Sequence, residues 1–325
     1  MKQLSAAISF VLLSLFLQSC EINRNKDSNI LKLWYKQPSV TWEEALPVGN
    51  GRIGAMVFGD PVNERLQLNE ESLWAGSRIN NDNPKALKTL PLLQKALFES
   101  RYQDAFKLAG ENFLGTPPNI RSYQPLGDLF IDYEWNRIPE NYHRELNLRT
   151  GIATTRFTIE GKQVTQEVFA SSPGNIIVVH ISSPDGLPVT ASFRMSREKD
   201  AVIKTNGNSM VQLSGQIIDL DDPKSGPGGA HMKFAGELRI SALNGTADTQ
   251  NNILIVKQAK EITVRITAAT DYNIDQLDFD RSIDPVSTCK IILDKTDGVS
   301  YKELEYSHLK EYQNMFDRVS LSFGT

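Results

Sequence analysis

Two adjacent carboxylates, Glu70 and Glu71, stand in the stretch LPVGNGRIGAMVFGDPVNERLQLNEESLWAGS, residues 46–77. Paired carboxyls serve acid–base hydrolysis of glycosides when they face each other across one bond. Neighbours on a strand point to opposite faces. These two therefore cannot address one scissile bond, and they read as a solvated edge or cap. The same stretch offers a second chemistry. Trp74 carries an aromatic face and Asn69 an amide, both in LNEESLWAGSRINNDNP, which joins a strand to a helix. A sugar presents a C–H face and hydroxyl edges, which suit that combination. Asn69 and Trp74 are the candidate carbohydrate contacts; the alternative for Trp74 is a place in the core.

The remaining candidates are weaker. Asp219, Asp221 and Asp222 cluster in IIDLDDPKSGPGGAHM, but their spacing matches no calcium loop, and the segment reads as a solvated connection. His143, His180, His231 and His308 have no partner at ligand spacing, so zinc is unsupported. No G-x-S-x-G and no phosphate-binding loop occurs. No cofactor and no metal is expected.

These residues need a framework. The 325-residue chain is 40% hydrophobic with a net charge of −4, which allows a packed core and argues against nucleic acid as a partner. Strands are expected at Leu31–Gln37, Gly51–Gly59 and Arg65–Asn69, the last with Leu66 and Leu68 on one face. Asn83-Pro84 signals a helix start, Ala86, Leu87, Leu90, Leu93 and Leu97 follow at helical spacing, and Pro91 should break or kink the helix. A second helix is expected over about Gln103–Asn112.

From Asp128 to Ala269 the pattern is a succession of short alternating runs, including Val189–Met195, Ser209–Leu220 and Met232–Leu243. Gly161-Lys162 reads as a hairpin turn between two of them. Many closely spaced strands imply a large antiparallel β-sandwich rather than a parallel sheet. Asp284-Pro285 then starts a helix with Val286, Cys289, Ile292 and Leu293 on its buried stripe. A last helix sets Leu304, His308, Tyr312 and Phe316 on one face, and RVSLSFGT reads as a strand.

The first residues are of another kind. MKQLSAAISFVLLSLFLQSC has Lys2, an apolar run from Ala6 to Leu17 and small Ser19 before Cys20. It reads as a secretory signal, and Leu17-Gln18-Ser19-Cys20 resembles a bacterial lipobox. Cys20 is the expected lipid attachment, giving an exported lipoprotein held on a membrane of the cell envelope. Cys289 is then left without a disulfide partner and is expected in the core. The expected layout is signal 1–20, tether 21–30, sandwich 31–280 and helical linker 281–325.

Several segments stand in a recognisable order: LPVGNGRIGAMVFG, LQLNEESLWAGS, NDNPKAL, YQPLGDLFIDY, HRELNLRTGIATTRFTIEG, VFASSPGNIIVVHIS, AATDYN and HLKEYQNMFDRVSLSFG. Together they resemble the N-terminal region of glycoside hydrolase family 95, α-L-fucosidases acting on terminal α-1,2-linked fucose. The resemblance implies a sandwich placed before an (α/α)6 catalytic barrel. It also implies inversion by a glutamic acid and an aspartate-assisted asparagine, all in the barrel. No position here matches those residues. The expectation is a portion inactive alone, with fucosylated glycan as partner through the intact enzyme or through a separate barrel polypeptide. In that last case Leu304, Tyr312 and Phe316 would form an uncovered face. The rival expectation is a free-standing carbohydrate-binding or docking lipoprotein.

Overall fold

The structure is a computed structural model describing residues 31–321. The signal, the tether and Cys20 lie outside the described residues. In chain order the first strands are β1 (Lys32–Tyr35), β2 (Leu46–Gly49), β3 (Ile53–Val57), β4 (Asn63–Glu70), β5 (Gly127–Tyr133) and β6 (Glu140–Asn147). Next come β7 (Ile152–Ile159), β8 (Lys162–Ser171), β9 (Ile176–Ser182), β10 (Val189–Ser196), β11 (Ala201–Asn206) and β12 (Met210–Asp219). The last are β13 (Gly229–Leu243), β14 (Thr246–Gln250), β15 (Ile253–Ala259), β16 (Glu261–Thr270), β17 (Tyr272–Asn273) and β18 (Asp278–Phe279). Helices α1 (Ala86–Phe98) and α2 (Tyr102–Asn112) interrupt the strands after β4, and α3 (Pro285–Asp294) and α4 (Tyr301–Phe316) follow them.

Two antiparallel sheets form the expected sandwich. Nine strands run in the order β1-β6-β7-β8-β9-β16-β13-β12-β11, and seven in the order β14-β15-β10-β5-β4-β3-β2. The core lies between them. Strict alternation places Leu129 and Ile131 of β5, Leu66 and Leu68 of β4, and Val179 and Ile181 of β9 in one apolar cluster. β9 is buried on both faces. Its outer residues Ile176 and Val178 join a second cluster with Leu293, Tyr301 and Leu304 of the C-terminal helices. A helix-covered strand needs an uninterrupted apolar run, and IIVVHI supplies one.

The C-terminal helices start where their caps dictate. Asp284 accepts hydrogen bonds from the backbones of Val286 and Ser287, with Pro285 in the first turn, and Ser300 with Glu303 makes a reciprocal capping box. The expected face of α4 is correct, but it is not left uncovered. Leu304 and His308 are buried, His308 stacks on Phe169, and the Tyr312 hydroxyl donates to the Leu148 carbonyl at 2.8 Å. The sheet of this same chain covers that face.

Other local expectations are corrected. Helix α1 runs through Pro91 without a break. The carbonyl that would have received the missing bond belongs to Leu87, an exposed residue on the outer side of the helix. The helix begins at Ala86 rather than at Pro84, with Asn83 Oδ1 accepting from the Lys85 backbone N–H at 2.9 Å. The hairpin turn lies one residue earlier than Gly161-Lys162. Ile159 pairs with Lys162, and Glu160 and Gly161 both take positive φ, +52° and +76°, as a tight β-hairpin turn requires. Residues 318–321 form no strand, and 322–325 lie outside the described residues.

Candidate functional site

The stretch that carries Glu70 is fixed by a polar cluster between the sheets. Glu70 ends β4 and is 3% exposed. Its carboxylate accepts from the Ser72 backbone at 2.8 Å and hydroxyl at 2.7 Å, and lies 3.6 Å from Arg52. Arg52 also donates to Asn175 Oδ1 at 2.7 Å and to the Ala268 carbonyl at 2.5 Å, reaching the other sheet. Ser72 meets the Thr270 hydroxyl at 2.5 Å. Burial pushes the Glu70 carboxyl above its ordinary value, while the Ser72 bonds and Arg52 oppose it. Glu71, the next residue, is exposed. The opposite-face expectation for the pair holds, but Glu70 is an internal tie rather than a solvated edge. It becomes one because Arg52 and Ser72 satisfy its oxygens inside the protein.

Beyond this tie opens a groove of about 630 Å³. Four segments converge on it: residues 71–81 after β4, 119–121 before β5, 225–227 between β12 and β13, and the β17–β18 hairpin. Trp74 is on its wall and is 41% exposed. The indole N–H donates to the Glu71 carbonyl at 3.2 Å, and the ring meets Tyr123 edge to face at 5.1 Å. An isolated bridge between Trp74 and Tyr123 fixes the backbone, and the Tyr123 hydroxyl donates to the Glu70 carbonyl at 2.8 Å. The aromatic ring is thus held by both its edge and its backbone.

Arg121 braces the floor. It donates to Asp219 at 2.9 Å and to the carbonyls of Leu220 and Gly226 at 2.9 and 2.6 Å, fastening the loop after β12. Gly76 passes so close that a Cβ there would lie 3.3 Å from the Arg121 side chain. The acidic loop is therefore tied by an arginine. Among the described residues no group of three or more His, Cys, Asp or Glu is arranged to hold a metal ion.

The two sequence candidates part company. Trp74 lines the groove, whereas Asn69 is exposed on β4 opposite Gly54 and does not. The groove's amides are Asn81 and Asn119 instead, and its second aromatic wall is Tyr272 and Phe279. AATDYN holds Tyr272, but nothing local signals that it meets residues some two hundred positions earlier. None of the four histidines lines the groove. His180 lies flat on Tyr301 at 3.7 Å and meets the Thr263 hydroxyl at 3.0 Å, and burial lowers its pKa to about 4. Cys289 is buried in the core, as expected.

A family model described as the N-terminal domain of glycosyl hydrolase family 65 matches residues 33–275. The chain belongs to that family. Among curated proteins it is 27% identical over 318 residues to alpha-L-fucosidase 2 of Arabidopsis thaliana, covering 90% of this chain and 37% of that protein. It is 26% identical to a probable alpha-fucosidase A of Aspergillus niger, covering 86% of this chain and 35% of that one. The chain thus spans little more than a third of the relatives it matches. A putative kojibiose phosphorylase from human microbiome aligns at a TM-score of 0.48 with 10% identity, over 89% of this chain and 38% of its own. The glycoside-hydrolase reading made from sequence motifs stands at the family level, with alpha-fucosidases as the curated relatives.

Proposed function

We propose that this chain is the non-catalytic sandwich portion of an α-L-fucosidase-like glycoside hydrolase and does not hydrolyse fucosides alone. One observation carries the reading: the chain matches an N-terminal glycosyl hydrolase domain and only 37% of the length of a fucosidase relative. Inverting hydrolysis needs two groups held on opposite sides of one sugar by a rigid scaffold. The Glu70–Glu71 pair does not offer that arrangement, since one member is locked inside and the other faces out. The catalytic groups belong to a barrel, continuous with this chain or separate. The substrate of the assembled enzyme is a glycan ending in α-1,2-linked L-fucose.

The test is direct. Purified chain incubated with 2′-fucosyllactose should release no fucose above the buffer rate, and catalytic release would sink the proposal. The reading includes export and anchoring through Cys20. Among the described residues no helix is long and apolar enough to cross a membrane. In this reading acyl chains on Cys20 hold the protein at the membrane. Cys20→Ala should move the protein from the membrane fraction to the soluble fraction. Membrane retention by that variant would refute lipid anchoring.

A further inference from the structure

The groove beside Trp74 has a composition that selects its ligand. The charges that line it are few and of both signs: Glu71 and Asp278, Arg78, and Arg121, which is paired with Asp219. An anion or cation would gain little net attraction there, so the ligand is neutral. The hydrogen-bonding equipment is amide and hydroxyl, chiefly Asn81, Asn119 and Ser77. The Trp74 ring is fixed by Glu71 and Tyr123 and still 41% exposed, a ready platform for a C–H face.

The rim is more aliphatic than an ordinary hexose needs. Ile120, Ile274 and Leu277 line the groove and are 75%, 69% and 59% exposed. Leu277 also holds a positive φ of +54°, a conformation that bulky side chains avoid. The β17–β18 hairpin keeps this unfavourable conformation where it sets an apolar side chain at the groove mouth.

A sugar that combines hydroxyl edges, a C–H face and a methyl in place of the usual hydroxymethyl matches all three features. We infer that this groove binds the 6-deoxyhexose end of a neutral glycan. The C6 methyl lies against the Ile274–Leu277 tip, the ring face lies on Trp74, and the hydroxyls meet Asn81 and Asn119. This deepens the fucosidase reading and rests on it. It adds a non-catalytic site on the sandwich that holds the fucosylated end.

The experiment is a ligand-observed NMR titration of the purified chain. The probes are 2′-fucosyllactose against lactose, and L-fucose against L-galactose, which differs only by a hydroxyl at C6. The expected result is saturable broadening of the fucose methyl signal and a preference of about tenfold for fucose over L-galactose, the scale set by one hydroxyl at an apolar contact. Trp74→Ala should weaken binding about tenfold or more, while Trp74→Phe retains most of it. Leu277→Asn keeps a residue that tolerates positive φ but removes the aliphatic contact, so it should erase the fucose preference without lowering the melting temperature. Absence of saturation, equal binding of lactose, or unchanged selectivity in folded Leu277→Asn would each overturn the inference. The titration measures equilibrium binding. Its failure leaves the non-catalytic reading standing, and fucose release by the chain would overturn that reading while leaving the groove assignment intact.

Discussion

Gly215→Ala should destabilise the sandwich by about 3 kcal/mol, near the upper end of the cost of forcing extra atoms into a packed site. Gly215 lies in β12 opposite Ala201 and Phe234. Its backbone is not in the left-handed region, so conformation alone would admit alanine. Space does not. A Cβ would stand 1.9 Å from the Asp200 carbonyl oxygen and 2.7 Å from the Phe234 ring. The carbonyl belongs to the backbone and accepts from the Gln216 N–H at 3.2 Å, so it cannot swing aside alone. Phe234 is buried beneath the Arg197 guanidinium, 4.3 Å from its centroid. Relief requires β11 to separate from β12. Gly161→Ala is the control: nothing lies near its absent Cβ, and only its φ of +76° objects. That change should cost roughly 1 kcal/mol. Urea midpoints at constant m-value measure both. A Gly215→Ala midpoint equal to wild type would refute the packing assigned to the β11–β12 pair.

The sandwich was legible in the sequence because strands such as β4 and β5 bury one face and so alternate, while helix-covered β9 shows as a continuous apolar run. The strands missed there are β2, β11 and β14, besides the short β17–β18 hairpin. All three lie at sheet edges. An edge strand buries less, so its pattern is dilute. LPVG of β2 even carries a proline, which an edge accommodates. Trp74 could be singled out because it is a large aromatic among amides at a strand–helix joint, and the structure places it on the groove wall rather than in the core. Asn69 lies outside the groove lining because its place in β4, next to inward-facing Leu68 and Glu70, turns it to the exposed face. Glu70 was misread for a long-range reason. Its burial depends on Arg52 across the β3–β4 pair and on Thr270 from the opposite sheet. Ser72, two residues on, supplies two of the bonds, but nothing near Glu70 announces the partners just before β3 and on the opposite sheet. The same holds for the groove, whose second wall arrives with Tyr272 and Phe279.

Glu64→Gln should change the pH dependence of stability more than any other single substitution at a buried carboxylate of this core. Glu64 is fully buried on β4, in the inward register with Leu66 and Leu68. Its Oε1 accepts from the backbones of Gly59 and Arg65, each at 2.9 Å, and its Oε2 from Gln166 at 2.6 Å, while Tyr133 donates to Gln166 at 2.6 Å. Among the described residues no lysine, arginine or histidine forms an ion pair with it. Burial pushes its pKa up to about 7 from the ordinary 4.5, and Asp60 adds to the push. A raised carboxyl pKa means that the folded state holds the proton more tightly. The stabilisation is complete below pH 4.5 and is lost as pH rises to about 7, by about 3 kcal/mol at 1.36 kcal/mol per unit. His180 works in the opposite sense. Its pKa is depressed to about 4, so its contribution is present above 6.5 and lost as pH falls. The two terms overlap between pH 4.5 and 6.5 and offset each other, so the wild-type profile alone does not reveal either. The difference between variant and wild type does, because His180 cancels in it. Glutamine has the shape and the donor of the protonated acid, and the Gln166 amide can reverse to receive it. Glu64→Gln should therefore be near neutral at pH 4.5 and more stable than wild type by about 3 kcal/mol at pH 8. Denaturant midpoints at the two pH values decide it: a difference independent of pH would mean that Glu64 is not the buried acid its surroundings make it.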